Sequence, residues 1–139
     1  FDPADLLIRN QIPVLCVLHR RVCIDRIGSF DETFAAHEDW DMWIRLFHHY
    51  PSTHIKQATC EYRVQINGQS LTGTHRPEFY RTMKIIHKRY RKMISSHTTI
   101  RKKQRKQLAH LGWELAGVGH PVTLFDKLRY ILHVYAKLT

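Results

Sequence analysis

The helical period of the apolar residues in HEDWDMWIRLF, residues 37–47, is the feature that most restricts the fold of this chain. Asp39 is predicted as the N-cap, because its carboxylate can accept hydrogen bonds from the unpaired backbone N–H groups of the first turn. Asp41 then falls in that turn, where the helix dipole favours negative charge, and Pro51 ends the helix. The apolar residues share one helix face, at positions i, i+3, i+4 and i+7: Trp40, Trp43, Ile44 and Phe47.

The adjacent carboxylates Glu38 and Asp39 have two interpretations. A helix start explains both, because acidic residues are common in first turns. Alternatively, a carboxylate fixed at a helix N-terminus could act as a general base that removes a proton from a substrate hydroxyl. Trp43 is interpreted as core. Trp40 could be core or could offer an apolar face to a ring-shaped substrate.

The segments on either side of this helix predict strands and loops. The apolar run PVLCVLHRR, residues 13–21, is typical of a strand buried on both faces. Gly28 predicts a turn or stop, because glycine adopts positive φ at little cost. The β-favouring residues of THIKQATCEYRVQ, 53–65, predict one or two strands, and residues 30–37 and 66–74 predict loops.

After His75 the pattern becomes helical and basic. The first segment is a basic amphipathic helix, with apolar residues at helical spacing: Phe79, Tyr80, Met83, Ile86, Tyr90 and Met93. The second segment, residues 97–121, predicts a helix that ends near Gly117 or Gly119. Pro121 precedes a third apolar stripe.

The charge divides the 139 residues into two regions. Residues 1–75 carry a net charge of −2 and residues 76–139 carry +12. A basic region of this kind can be a solvated helical surface, a surface for anionic membrane head groups, or a nucleic-acid surface. Nucleic acid is the least favoured of the three, because the sequence contains no recognised binding motif.

The three cysteines, Cys16, Cys23 and Cys60, show no metal-ligand spacing. Their apolar and β-favouring neighbours predict reduced, buried thiols in a reducing compartment. The start FDPADLLIRN lacks the apolar core of a signal peptide, and no apolar run is long enough to span a membrane. The expected location is cytoplasmic, with peripheral binding at the inner face of the membrane as an option.

The order of several short motifs resembles the C-terminal half of the family-2 glycosyltransferases. The chain shows VLHRRVCIDRIGSFDE, then HEDWDMWIRL, then EYRVQINGQSLT, and the resemblance covers roughly residues 7–72. The resemblance implies an α/β fold, a partial GT-A (nucleotide-diphospho-sugar transferase) mixed sheet with flanking helices, followed by an α-helical C-terminal region. Residues 1–75 would then be the acceptor-side half of the GT-A domain and residues 76–139 a basic helical appendage.

What the resemblance implies for function is inverting transfer of a sugar from a nucleotide diphosphate sugar to the hydroxyl of a glycan or lipid-linked acceptor. Asp39 would be the general base, with Glu38 helping to shape the acceptor pocket. Asp31 would contact the sugar or lie in a solvated turn, and Trp40 would be a second substrate contact. Tyr62 and Arg63 would match the family's Tyr-Arg pair, with Arg63 either at the donor diphosphate or in a structural ion pair.

Two departures from the family pattern bear on activity. Family members often carry a histidine two residues after the arginine, near the metal, and here that position is Gln65. The family's divalent cation, Mn²⁺ or Mg²⁺, is held mainly by an Asp-x-Asp motif in the N-terminal half. This chain has no such motif upstream of Gly28, and its one Asp-x-Asp, Asp39-Trp40-Asp41, lies inside the motif of the general base. The chain is therefore expected to be a fragment that is inactive alone. The alternative is a non-catalytic binding module that uses its basic region on membranes or nucleic acid.

Overall fold

A computed structural model describes residues 2–61 and 76–117, and in these ranges the chain is helical. The longer helices are α1 (Arg21–Ile27), α2 (Glu38–His49), α3 (Arg76–Arg89) and α4 (Thr98–Gly117). Short 3-10 turns cover Pro3–Leu7, Val14–Cys16 and Arg91–Ile94. The described ranges contain no β-strand.

The expected mixed α/β sheet of the GT-A fold is therefore wrong for the described part of the chain. The run 13–21 forms a 3-10 turn and then enters α1, and residues 53–61 have no regular secondary structure. A strand needs a neighbour for its N–H and C=O groups, and the described ranges supply none. The run is consequently not buried: Leu18 is 97% exposed and Val14 52%. The remainder of 53–65 and the loop 66–74 lie outside the described residues.

Helix α2 is the centre of the core, as its apolar period predicted. Trp40 is 0% exposed and Trp43 2%, which confirms the interpretation of Trp43 as core. The helix ends at His49, with Tyr50 as C-cap directly before Pro51. The predicted N-cap was wrong by two positions: His37 is the N-cap, and Asp39 lies inside the first turn.

Helices α3 and α4 confirm the two basic amphipathic segments. They pack against each other and bury Met83 and Ile86 from α3 and Leu115 from α4. Gly112 lets the Tyr80 ring lie close to the backbone of α4, where an added Cβ would come within 3.4 Å of that ring. Helix α4 ends at Gly117, one of the two predicted stops. The third stripe after Pro121 lies outside the described residues.

The first 3-10 turn is anchored by one side chain from each of the three long helices. Three consecutive carbonyls, those of residues 6–8, accept these hydrogen bonds and are thereby satisfied although they are removed from water. The bonds run from Trp40 Nε1 to Leu6 O (2.6 Å), from His87 Nε2 to Ile8 O (2.9 Å) and from Gln104 Nε2 to Leu7 O (2.6 Å).

Gly28 is the stop that the sequence predicted, although the helix that it ends, α1, was not predicted. Its φ of 82° lies in the region that glycine adopts easily, and its N–H bonds the carbonyl of Ile24. Arg45 of α2 then covers the end of α1, with guanidinium nitrogens 2.6 Å from Ile27 O and 2.8 Å from Ser29 O. This contact fixes the loop after α1 against α2.

The cysteines differ from the prediction of three buried thiols. Cys23 is buried, whereas Cys16 and Cys60 are exposed. Within the described ranges, no helix has both the length and the apolar content needed to cross a bilayer.

Candidate functional site at the start of helix α2

The site is built on His37, whose backbone opens α2 in an unusual conformation. Its φ of 63° and ψ of 22° are left-handed, a region that few residues other than glycine adopt. The buried ring packs edge-on against Trp40 at 5.0 Å and against Phe79 of α3 at 4.6 Å. The aromatic packing thus holds a strained residue directly before Glu38 and Asp39.

Asp39 is half-buried in the first turn of α2, and Asn10 holds its carboxylate. The side-chain nitrogen of Asn10 lies 3.1 Å from each carboxylate oxygen. Asn10 is itself oriented, because its Oδ1 accepts the backbone N–H of Ile12 at 3.1 Å. The backbone N–H of Trp40 also donates to Asp39 Oδ1 at 2.6 Å. The direction of the carboxylate is therefore set from both sides.

Burial raises the pKa of Asp39 above its ordinary value, because partial removal from water disfavours the charged form. The hydrogen bonds from Asn10 and from the Trp40 N–H act in the opposite direction, and the negative charge of Glu38 adds to the rise. Asp39 is consequently a stronger proton acceptor than an exposed aspartate, and its side chain is held in one orientation. Glu38 beside it is exposed.

Asp41, the third acid of the motif, has a structural role. Its side chain is 0% exposed and is surrounded by donors from α2 and from the end of α3. Burying a carboxylate is tolerable only with such partners. The bonds run from Arg45 Nε to Oδ2 (2.9 Å), from Arg89 Nη1 to Oδ1 (2.9 Å) and from the Tyr90 hydroxyl to Oδ1 (2.7 Å).

Asp31 lies at the edge of this charged network. It is 2.8 Å from Arg89 Nη1, the same nitrogen that contacts Asp41. The Thr33 hydroxyl donates to Asp31 at 2.5 Å. The hydrogen bond from Thr33 holds the pKa of Asp31 below its usual value, and the bond from Arg89 acts in the same direction. The structure thus brings Asp31 to Arg89, while its contact with a sugar stays a prediction.

The other predicted site residues separate into two groups. Trp40 is fully buried and uses its ring nitrogen on the Leu6 carbonyl, so its burial favours the core interpretation over the substrate-facing one. Tyr62 and Arg63 lie outside the described residues, as does Gln65, and their roles stay predictions.

The described residues do not provide a divalent-cation site. Within 2–61 and 76–117, no group of three or more His, Cys, Asp or Glu side chains is arranged to hold a metal ion. A small cavity of about 130 Å³ opens between the first 3-10 turn and α2, lined by Leu7, Ile44 and Met93 among others. Its lining does not include Glu38 or Asp39.

Two residues of the site, Asn10 and His37, were not predicted from the sequence. Asn10 precedes an apolar run and carries no signal that links it to Asp39, which is 29 positions away. His37 stands in the quoted motif, but the modest preference of histidine for the left-handed region does not predict that conformation at a single position. Its position immediately before an acidic first turn was the available clue to an N-cap.

No protein-family model, curated protein or solved structure significantly matches this chain, so the glycosyltransferase resemblance rests on the motifs themselves.

Proposed function

We propose that this chain supplies the general base of an inverting glycosyl transfer, with Asp39 as the base. The observation that carries the proposal is the environment of Asp39: a half-buried carboxylate in the first turn of α2, fixed by Asn10, with a raised pKa. The resemblance of the surrounding motifs to the family-2 glycosyltransferases selects sugar transfer among the reactions that a base can assist.

The neighbouring acids are less suitable for this role. Asp41 is fully buried and accepts hydrogen bonds from three side chains, so a substrate hydroxyl cannot reach it. Asp31 is ion-paired with Arg89, and its lowered pKa makes it a weaker base. Asp39 combines partial exposure with increased proton affinity, and efficient general bases need both.

The proposed role of Asp39 is to accept one proton. As the acceptor hydroxyl attacks the anomeric carbon of the donor sugar, Asp39 takes the hydroxyl proton, and the nucleoside diphosphate leaves from the opposite face with the bonding electrons. Because Asn10 donates to both oxygens, the carboxylate is already oriented before the acceptor arrives, which lowers the cost of positioning. Glu38, exposed beside it, is proposed to contact the acceptor.

The donor nucleotide is proposed to bind outside the described ranges, where Tyr62 and Arg63 lie, with Arg63 at its diphosphate. Cytoplasmic location and a glycan or lipid-linked acceptor belong to the same proposal, because they derive from the family resemblance.

The test is a transfer assay on the protein isolated from its source cells and on the 139-residue chain. Each is incubated with nucleotide diphosphate sugars and a mixed set of hydroxyl acceptors, and the release of nucleoside diphosphate is measured. Asp39→Asn keeps the shape and the helix position of the side chain but removes the base. We expect it to lower the rate by roughly 10²- to 10⁴-fold.

Glu38→Gln is the matched control, because it neutralises the adjacent, exposed acid. It should alter the acceptor KM more than kcat. If the Asp39→Asn variant releases nucleoside diphosphate at the wild-type rate, Asp39 is excluded as the base. Release no faster than in a protein-free control, with both wild-type preparations, would contradict the proposed activity.

A second candidate function is binding to an anionic membrane surface, and the charge of α3 and α4 favours it. Residues 76–117 contain twelve Lys or Arg and two acids, Glu78 and Glu114. In α4 the basic residues 101–103, 105 and 106 are exposed, while Gln104 in their midst faces inward to the Leu7 carbonyl. The helix thus presents a nearly continuous basic surface.

Exposed apolar side chains accompany these charges. Ile85, between Lys84 and Lys88, is 49% exposed, and Trp113 is 46% exposed. Basic residues mixed with exposed apolar and aromatic side chains are typical of helices that lie on anionic head groups. Nucleic acid would use the charges but has no evident use for Ile85.

Co-sedimentation with phosphatidylcholine vesicles, with and without phosphatidylserine, tests this candidate. Replacing Arg101, Lys102 and Arg105 together by Gln should weaken binding to phosphatidylserine vesicles by roughly 100-fold, at about 1 kcal/mol per charge. The same change at the exposed Arg9, Arg20 and Arg21 should leave binding nearly unchanged. Tight binding to an oligonucleotide without vesicle binding would contradict the membrane assignment.

A further inference from the structure

Two exposed cysteines that are distant in sequence meet on the surface. The sulfur atoms of Cys16 and Cys60 are 3.3 Å apart, although 44 positions separate the residues. Cys16 ends the second 3-10 turn, and Cys60 lies in the exposed segment 51–61, which has no regular secondary structure. Neither residue takes part in the proposed chemistry at Asp39.

We propose that Cys16 and Cys60 form an oxidation-responsive pair, which closes to an intramolecular disulfide when the protein meets a peroxide. A disulfide needs a sulfur separation of about 2.05 Å, so the two atoms must approach by about 1.3 Å. The backbone of 51–61 can supply this movement without breaking helical hydrogen bonds, because it has none. Both sulfurs are open to solvent and therefore to a small oxidant.

The reaction balances with one peroxide per pair. One thiolate attacks a peroxide oxygen, which gives a sulfenic acid and, after protonation, one water. The second thiol then attacks the sulfenic sulfur and displaces a second water, so two thiols and one hydrogen peroxide yield one disulfide and two waters. The hydrogen bond with Cys60 raises the pKa of Cys16.

The third cysteine is not a competitor. Cys23 is 9% exposed and belongs to the apolar core, where neither an oxidant nor another thiol reaches it readily. Closure of the pair would tie the segment 51–61 to the residues that lead into α1. Such a bond restricts the unfolded chain, because it joins two residues that are 44 positions apart.

The experiment uses the 139-residue chain, treated with hydrogen peroxide, alkylated to block free thiols and digested with trypsin under non-reducing conditions. The sequence places each cysteine in its own tryptic peptide: residues 10–20 contain Cys16, 22–26 contain Cys23 and 57–63 contain Cys60. We expect one linked species that joins 10–20 to 57–63. The oxidised protein should also melt roughly 10 °C higher than the reduced protein.

Cys16→Ser and Cys60→Ser should each abolish the linked species, whereas Cys23→Ser should leave it unchanged. Both exposed-site variants are surface changes, and their folding can be checked by circular dichroism. The proposal is overturned if peroxide gives sulfinic acid without the linked species, or disulfide dimers between chains. A link that includes the peptide 22–26 would overturn it equally.

Discussion

The side-chain amide of Asn10 lies 3.1 Å from each carboxylate oxygen of Asp39, across 29 positions of sequence. Asn10, which precedes α1 in the sequence, thus sets the orientation of the carboxylate proposed as the general base. Because the bond favours the ionised form, it restrains a pKa that burial raises.

Asn10→Ala should raise the pKa of Asp39 further, because the hydrogen bonds to the ionised form are lost while the carboxylate stays partly buried. Carboxyl ¹³C chemical shifts followed through a pH titration measure the change. Thr33→Ala is the control, because it removes the corresponding donor from Asp31 and should raise the pKa of Asp31 alone. An Asp39 pKa that is unaltered in Asn10→Ala would show that the amide does not bond the carboxylate in solution.

Asp41→Ala should lower the free energy of unfolding by about 3 kcal/mol, because it leaves Arg89 and Arg45 without their buried partner. Urea denaturation measures the effect. Asp25 is exposed on α1, and Asp25→Ala should change stability by less than about 0.5 kcal/mol. Equal losses in the two variants would contradict the structural role given to Asp41.

Stability should fall as the pH is lowered from 6.5 towards 4, in part because of His37. Burial, helped by the neighbouring His87, lowers the pKa of His37 to about 4. Between this value and the ordinary 6.5, the unfolded chain binds the proton and the folded chain does not. The contribution of His37 is therefore complete above pH 6.5 and is lost on acidification, by about 3 kcal/mol in total.

His37→Asn isolates this effect, because asparagine tolerates the left-handed backbone and does not titrate. Urea midpoints measured at several pH values should decline less steeply in this variant than in the wild type. His87 titrates in the same direction, since burial lowers its pKa as well, so some slope should remain. Identical slopes in the two proteins would exclude a shifted His37.

Trp40→Phe should destabilise the protein more than Trp43→Phe. Both rings are buried, but Trp40 Nε1 donates to Leu6 O at 2.6 Å, whereas Trp43 Nε1 has no partner in the described part of the chain. The two changes remove the same atoms, so the difference between them reports the hydrogen bond, at about 1 kcal/mol. Thermal or urea unfolding gives both values, and a larger loss for Trp43→Phe would contradict the assignment.

Helices α2, α3 and α4 were predictable from sequence, whereas helix α1 and the missing sheet were not, for a physical reason. The apolar period of α2 and the stripe of α3 are local and can be read directly, and Gly28 and Gly117 mark helix ends. A buried strand, by contrast, depends on neighbouring strands that its own residues do not specify. The run 13–21 has the composition of a core strand, yet Leu18 within it is 97% exposed.

The candidate site was likewise predictable only in its local features. The sequence identified an acidic first turn, but only the family resemblance selected Asp39 as the base, because the different environments of Asp39 and Asp41 come from residues far along the chain. Arg89, which is 48 positions away, neutralises Asp41, and Asn10 orients Asp39. Patterns within α2 contain neither partner.

The anchoring of residues 6–8 has a consequence for how the protein folds. Helical proteins usually fold fast because their contacts are local. Here the carbonyls of residues 6–8 accept hydrogen bonds from residues far along the chain. His87 is 79 positions from Ile8, Gln104 is 97 positions from Leu7, and Trp40 is the nearest of the three partners. During synthesis these carbonyls leave the ribosome before any of their partners. Because these contacts join an early segment to helices made later, we expect folding to be slower than in helical proteins with mainly local contacts, and substitution of Gln104 should change its rate.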